Sequence, residues 1–310
     1  MQEQVGPSER LTTGARPRTR PWNDDAAPIA VVMLALNEAH NMEAVLENLR
    51  GWAREVFLVD SYSRDRTVDI ALERGVYVVQ RRFRGFGDQW DFAVHQLPIS
   101  SPWTMKLDPD ERLSPELKDE IRHAVSATNV DAFTCRIRLS FMGRTLPVRL
   151  TLTRLWRTGK ASFKGVSVNE HAHVDGVTRE LKNEIEHHDS PNLDHWLNKQ
   201  NKYTTAEALS AFEGRALAAT PRLLGNSLER RMWLKRHFQK MPLRYTTMFL
   251  YHYIVLGASR AGWVGYAWSR LRCDVYRLWE YKLREMRMSG SYSSSEQSGP
   301  GSPDPRVPQF

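Results

Sequence analysis

The chain has 310 residues, of which 41% are hydrophobic and 26% charged, enough apolar material for one large domain or a domain with an appendage. Its two cysteines, Cys135 and Cys273, are far apart and form no CxxC pair. That excludes a disulfide framework and a thiolate metal knuckle, and it points to a reducing, cytoplasmic compartment.

Residues 1–27 are rich in Pro, Arg and Thr, lack an apolar run, and read as a disordered tail without a signal peptide. Ile29–Leu36 is a continuous apolar run, expected as a strand buried on both faces of a parallel sheet. A helix over 38–49 follows, with Met42, Val45, Leu46 and Leu49 at helical spacing. Glu55–Asp60 reads as the second strand, 67–74 as a helix closed by Gly75, and Val76–Gln80 as the third strand. A third helix is expected over 88–97 and a strand over 103–107. Ser114 is placed to cap a helix over 115–125 that has Pro115 in its first turn.

Strands alternating with helices of about ten residues mean βαβ units and a parallel sheet. Beyond Val130 the pattern changes. Strands are expected over 132–141, 149–157 and 161–173, with turns at Gly143, Gly159 and Gly176. From Leu193 the period is helical and carries Trp196, Lys199, Tyr203, Ala206 and Leu209. Residues 289–310 read as a second flexible tail. The expected division is therefore a disordered tail over 1–27, an α/β domain over 28–190, a mainly helical extension over 191–288 and a disordered tail over 289–310.

The net charge of +8 is uneven: 14 Lys or Arg stand against 4 Asp or Glu between Arg222 and Met288. The same stretch holds 12 of the aromatic residues, including Trp233, Phe249, Tyr251, Tyr253, Trp263, Tyr266 and Trp268. Arg230, Arg231, Lys235 and Arg236 flank Trp233 and Leu234. Aromatic residues mixed with cations suit helices lying on an anionic membrane surface, the alternative being packing against the α/β domain. Nucleic acid is disfavoured because no matching motif is present. The longest apolar stretch, Met248–Ala258, is too short to span a bilayer, which needs about 20 residues.

Ligands of parallel α/β sheets bind beyond the carboxyl ends of the strands. Here those ends carry Asn37-Glu38, Asp60-Ser61 and Asp108-Pro109-Asp110-Glu111. In an extended segment, residues i and i+2 point to one side. Asp108 and Asp110 can then hold a hard divalent cation together, or one can hold the cation and the other a ribose hydroxyl. The alternative for the pair alone is a solvated acidic turn before a helix. Their alignment with two other polar strand ends favours the ligand reading. Asp60 is placed to accept from a base or a ribose, and Ser63 or Asp65 to cap the next helix. Gly85-Phe86-Gly87 lacks the third glycine of a dinucleotide fingerprint and follows the wrong strand, so nicotinamide binding is rejected. His171, His173, His187 and His188 match no common zinc spacing; His187 or His188 is better placed for a diphosphate. A nucleotidyltransferase is disfavoured because Leu36-Asn37-Glu38, not a glycine-rich loop, follows the first strand.

Leu36-Asn37-Glu38, VDSYSRDRT (59–67), GFGDQWDFA (85–93) and LDPDERLSPEL (107–117) resemble glycosyltransferase family 2. Within it the match is nearest the bacterial lipopolysaccharide-core β-1,4-glucosyltransferases. The resemblance continues through TRLWRTGKASFKG (153–165), Val168-Asn169-Glu170 and the His187-His188 region. It implies a GT-A (Rossmann-like) fold, a nucleotide-diphosphate sugar donor, most simply a UDP-sugar, and inverting transfer of a hexose. A glycan or glycolipid acceptor and a role in cell-envelope polysaccharide synthesis follow from it. Carried over by position, Asn37, Glu38, Asp60, Gln89 and Asp108 contact the nucleotide sugar. Asp110, with Asp108 beside it, holds Mg²⁺ or Mn²⁺, and Glu170 is the base for the acceptor hydroxyl, with Glu111 as the other candidate. The chain departs from the branch at Tyr62, where Gly is usual, and at Asp91, Pro109 and Asn169; none of these removes a carboxylate. The rival reading is a non-catalytic nucleotide-sugar or membrane-binding module that kept the fold.

Overall fold

The computed structural model describes residues 22, 26–126, 129–163, 172–188, 190–213, 222, 224, 233, 237–238 and 241–290. Its centre is β1 (Ala27–Ala35). Ile29, Val31, Met33 and Ala35 enter one core cluster, whereas Ala30, Val32 and Leu34 enter another. Strand side chains alternate between faces, so a continuous apolar run is what a strand covered on both sides requires. The chain continues through α1 (Ala39–Leu49), β2 (Ala53–Asp60), α2 (Thr67–Glu73), β3 (Tyr77–Gln80), α3 (Phe86–Gln96) and β4 (Trp103–Lys106). Then come a short β5 (Glu111–Leu113), α4 (Pro115–Ala124), β6 (Ala132–Phe141) and β7 (Arg144–Arg157). Ser114 caps α4 by accepting from the Leu117 amide at 3.2 Å, as its sequence predicts.

The main sheet runs β3-β2-β1-β4-β7-β6-β10-β5, where β10 is Thr178–His187. Strands β1 to β4 pair in parallel; β7 then runs antiparallel to both β4 and β6. The order reverses beside β1: β2 and β3 lie on one side of it and β4 on the other. Such a switch point opens a crevice beyond the carboxyl ends of the two strands it separates. Residues 36–38 and 107–111 therefore face that crevice.

Two expectations change. Residues 161–173 are not one strand. β8 (Ala161–Ser162) and β9 (His173–Val174) are two short strands that pair antiparallel. The other change is β10, which the apolar pattern does not announce. Only Leu181 and Ile185 of this strand are buried, and the position between them that shares their face, Asn183, is polar. The register of β10 on β6 shifts between Glu180 and Glu184. Amides there that the ladder does not use are taken by Glu120 of α4, which accepts from Lys182 N at 2.7 Å and from Asn183 N at 2.9 Å. A carboxylate from a neighbouring helix thus satisfies the bulged backbone.

Beyond β10, α5 (Leu193–Phe212) crosses to α6 (Arg244–Leu250) and the long α7 (Gly262–Ser289). The helix of α6 runs on into a π turn over Tyr251–Val255, and a 3₁₀ turn over Ala258–Ala261 precedes α7. These helices are seated on the β6–β7 hairpin. Phe141, Leu146 and Val148 pack with Trp196 of α5 and with Ala258 and Trp268. Lys282 of α7 ties to α5 through Asn201 O at 2.6 Å and the hydroxyls of Thr204 and Thr205 at 3.0 and 2.6 Å. Both cysteines are buried and unbonded.

Gly265 is where α7 meets the turn before it, because a Cβ there would overlap the Ala258 carbonyl. Gly265→Ala is expected to lower stability by about 1–3 kcal/mol, read as a lower urea midpoint with unchanged slope.

Candidate active site

The crevice is built from two stitched turns and one acidic corner. Asn37, two residues past β1, lies in the left-handed region, at φ 59°, which Asn tolerates better than most residues. Its amide donates to Ser63 Oγ at 2.8 Å, and its side-chain oxygen accepts from Arg64 N at 2.8 Å. Asp60 is fully buried at the end of β2, where it accepts from Ser63 N at 2.9 Å, from the Ser63 hydroxyl and from Gln80 at 3.0 Å. Asp65 accepts from Thr67 N and from Ala39 N, both at 3.0 Å, so one carboxylate caps α2 and also ties the start of α1. Asn37, Asp60 and Asp65 thus shape one continuous rim, with Tyr62 exposed upon it at φ 64°.

Gln89 lies beneath that rim. It is fully buried, donates to Ser61 Oγ at 3.1 Å and accepts from Arg81 at 2.7 Å. Arg81 also engages Asp88. In this arrangement Gln89 fixes the floor of the crevice rather than its open surface.

The acidic corner follows β4. Residues 108–111 are a turn, closed by the Glu111 amide on the Asp108 carbonyl at 2.9 Å, rather than the extended segment expected for Asp108 and Asp110. The two carboxylates therefore take different partners. Asp108 pairs with Arg154 of β7 at 3.0 Å, and Arg154 also reaches Glu111 at 2.5 Å. Glu111 returns to the Asp108 amide at 2.9 Å. Asp110 pairs with His187 of β10 at 3.3 Å and with Lys199 of α5 at 3.4 Å, while its carbonyl accepts from His188 N at 2.7 Å. Arg112 closes the corner from below through the carbonyls of Pro109, at 2.6 Å, and Asn41, at 3.2 Å.

Charge sets the protonation states here. Burial works against the ionised form of Asp110, but His187 and Lys199 outweigh it and hold its carboxyl far below the usual carboxylate range. Burial likewise opposes Asp108, and Arg154 and Lys106 outweigh it, so that pKa also lies low. Glu38 behaves in the opposite way. It is buried, with Asn41 Nδ2 donating to it at 2.8 Å, and burial together with the nearby charge of Asp110 pushes its pKa up to about 7. Burial also pushes Glu111 up, against the pull of Arg154. Glu111 has no exposed surface and is bound by Arg154. Glu170 lies outside the described residues.

Of the sequence candidates, Glu38, Asp108 and Asp110 come together at the crevice, Asn37 and Asp60 form the adjoining rim, and Gln89 lies under it. The sequence points to His187 only as a diphosphate contact, and to Lys199 only as a position on a helix period. Arg154 sits inside the matching TRLWRTGKASFKG stretch, where a charged residue at strand alternation with Leu152 and Trp156 is the one signal of its role. Among the described residues, no group of three or more His, Cys, Asp or Glu side chains is arranged to hold a metal ion by itself. A cation at this corner would need substrate oxygens to complete its shell. Asp110 and His187 already face each other, and Mg²⁺ or Mn²⁺ is commonly held by one or two protein groups with substrate oxygens completing the shell.

An open α/β sheet with an acidic crevice at its switch point is the build of a nucleotide-binding α/β enzyme. Residues 30–181 match the model of glycosyl transferase family 2. An uncharacterized glycosyltransferase of Rickettsia felis is 30% identical over 198 residues, which cover 58% of this chain and 69% of that protein. One from Rickettsia bellii is 34% identical over 152 residues, and there the chain spans only 51% of its relative's length. The lipopolysaccharide core biosynthesis glycosyltransferase LpsC of Rhizobium meliloti is 27% identical over 194 residues, 58% of this chain and 70% of LpsC. The chain belongs to glycosyltransferase family 2, and its mixed sheet with a helical carboxyl-terminal region is the GT-A arrangement expected from its motifs.

Two outcomes test this electrostatic arrangement. Arg154→Met strands the fully buried Glu111 carboxylate and is expected to cost about 3–5 kcal/mol in urea unfolding at pH 8. The double variant Arg154→Met/Glu111→Gln should recover much of that loss. For Glu38, the folded pKa of about 7 lies above its ordinary 4.5, so the folded state holds the extra proton between those values. Its contribution to stability is complete below about pH 4.5 and is lost as pH rises through 7. Metal-free Glu38→Gln, which keeps an acceptor for Asn41, should therefore be more stable than the parent at pH 8 by up to about 3 kcal/mol. Thermal unfolding at pH 8 and pH 5 checks this, with the difference shrinking to about 1 kcal/mol or less at the lower pH.

Proposed function

We propose that this chain is an inverting, divalent-metal-dependent hexosyltransferase that uses a nucleotide-diphosphate sugar, most simply a UDP-sugar. The carrying observation is the corner at the switch point, where Asp110 faces His187 and Lys199 while Asp108 is held by Arg154. The rim of Asn37 and Asp60 is the proposed seat of the nucleotide. Mg²⁺ or Mn²⁺ would be held by Asp110 and His187, with Asp108 supporting or meeting the ribose. There the cation would neutralise charge on the departing diphosphate.

The remaining work falls to the chain's own groups. Lys199 adds a second positive charge next to Asp110 and is placed to share the diphosphate. Glu38 supports the donor side from beneath, close enough to Asp110 for their charges to interact. Inversion in a single displacement needs a base for the acceptor proton. Glu170, matched by position to the family's motif, is assigned that role, whereas Glu111 is engaged by Arg154. The acceptor is a glycan or lipid-linked sugar of the cell envelope, a reading supported by the similarity to LpsC. The two unbonded thiols are consistent with a cytoplasmic location for the reaction.

A cation that shares its shell with phosphates should bind weakly alone and at least about tenfold more tightly with a nucleoside diphosphate present, by reciprocal linkage. Calorimetric titration of Mn²⁺ with and without UDP measures this. Asp110→Asn should abolish the linkage and lower transfer about a hundredfold or more. Unchanged turnover in Mn²⁺ would remove Asp110 from the metal site. Absence of both donor hydrolysis and transfer in the parent, across a panel of nucleotide sugars, would favour a non-catalytic binding module.

A further inference from the structure

The helices that follow α5 carry a surface the catalytic reading leaves unexplained. Leu250, Tyr251, Ile254 and Val255 are all exposed on the continuous helix formed by α6 and the π turn, at the spacing i, i+1, i+4, i+5 of one helical face. Ile254 is 63% and Val255 70% exposed, unusual for aliphatic side chains on ordered helix. The start of α7 adds Trp263, 69% exposed, and Tyr266 one turn on. The two helices meet there: Tyr266 lies edge-on to Phe249 at 5.6 Å and to Tyr253 at 6.1 Å. The six exposed side chains thus flank a shared aromatic seam.

Charge decides what covers this face. From Met241 to Cys273 the sequence contains no Asp or Glu, while Arg244, Arg260, Arg270 and Arg272 lie within the same span. Arg260 and Arg270 are exposed, and Arg270 follows Tyr266 by one turn on the outer face of α7. Exposed apolar side chains, tryptophan and tyrosine in an acid-free span that also exposes Arg260 and Arg270 suit the boundary between anionic headgroups and acyl chains. Among the described residues, no helix is long and apolar enough to cross a membrane, so the fitting geometry is a face lying on one.

We infer that this face docks the protein on an anionic phospholipid surface, with Ile254, Val255 and Trp263 entering the acyl boundary and Arg260 and Arg270 meeting lipid phosphates. The inference does not depend on the donor sugar. It deepens the proposed function by placing the acceptor at a membrane surface. This face is linked to the acidic crevice through α5, because Lys282 of α7 grips α5 and α5 presents Lys199 to Asp110.

The test is flotation of the full chain with vesicles of phosphatidylcholine and with an equimolar mixture of phosphatidylcholine and phosphatidylglycerol, at low and high salt. The parent should float with the mixed vesicles at low salt, and less in salt or with neutral lipid. The triple variant Ile254→Ser/Val255→Ser/Trp263→Ser should lose at least about tenfold in partition, because apolar insertion supplies much of such binding. Its circular dichroism and UDP-dependent thermal shift should match the parent, which separates failure of docking from failure of the donor site. A parent that stays unbound with anionic vesicles at low salt, or a folded triple variant that floats as the parent does, overturns the inference. A parent that elutes as a dimer while the triple variant elutes as a monomer also overturns it, by giving the face to a second copy.

Discussion

Arg154 leaves β7 in the middle of the sheet and donates to both Asp108 and Glu111, and the shape of the crevice depends on that bridge. Without it, a fully buried glutamate would sit beside an aspartate at the end of β4 without the cation that bridges them. Burying an ionised carboxylate is tolerated only when it is paired and hydrogen-bonded. With the bridge in place, Glu111 closes back on the Asp108 amide, the turn over 108–111 is set, and Asp110 is left pointing away from Arg154 toward other partners. The bidentate reach of guanidinium is what allows one side chain to do this, and lysine would lack the fork.

The rest of the site follows from the same electrostatic constraint. Four carboxylates, those of Glu38, Asp108, Asp110 and Glu111, are drawn to one edge, and their mutual repulsion has to be offset. The counter-charges come from segments distant in sequence: Arg154 on β7, His187 on β10 and Lys199 on α5. For Glu38, burial and the charge of Asp110 outweigh the pull of Lys199, and it holds its proton to about pH 7. A group kept near neutrality at a cost in stability, next to one held strongly ionised, is the kind of separation that functional sites display. Structural ion networks also perturb pKa values, so the discriminating feature is position: this network opens on the crevice at the switch point.

Helix α5 links the two halves of the molecule. Its Trp196 packs against Phe141 of the sheet, its Lys199 reaches Asp110, and Asn201, Thr204 and Thr205 are gripped by Lys282 of α7. A shift of α7 would therefore be felt at α5, two to six positions from the lysine at the acidic corner. The proposed membrane-facing surface and the proposed diphosphate site thus share one element.

The βαβ half of the fold was legible because its signals are local. The apolar run of 29–36, the Ser114-Pro115 helix start and the Gly143 turn state a conformation within a few residues of chain. β10 was hidden because its core-facing positions include Asn183, and its bulge is satisfied by Glu120 from another element. The strand ends at Asn37, Asp60 and Asp108 were identified by the sequence, together with the family to which they belong. Their pairings were not, because a carboxylate's partner is chosen in space. By itself the sequence determined which acids lie at the strand ends, since alternation and strand length place them there. Only the tertiary structure decided that 108–111 turns, that Asp108 and Asp110 part company, and that Arg154, His187 and Lys199 stand against them. Those choices arise where strands and helices from distant parts of the chain are forced to share one buried, low-dielectric corner.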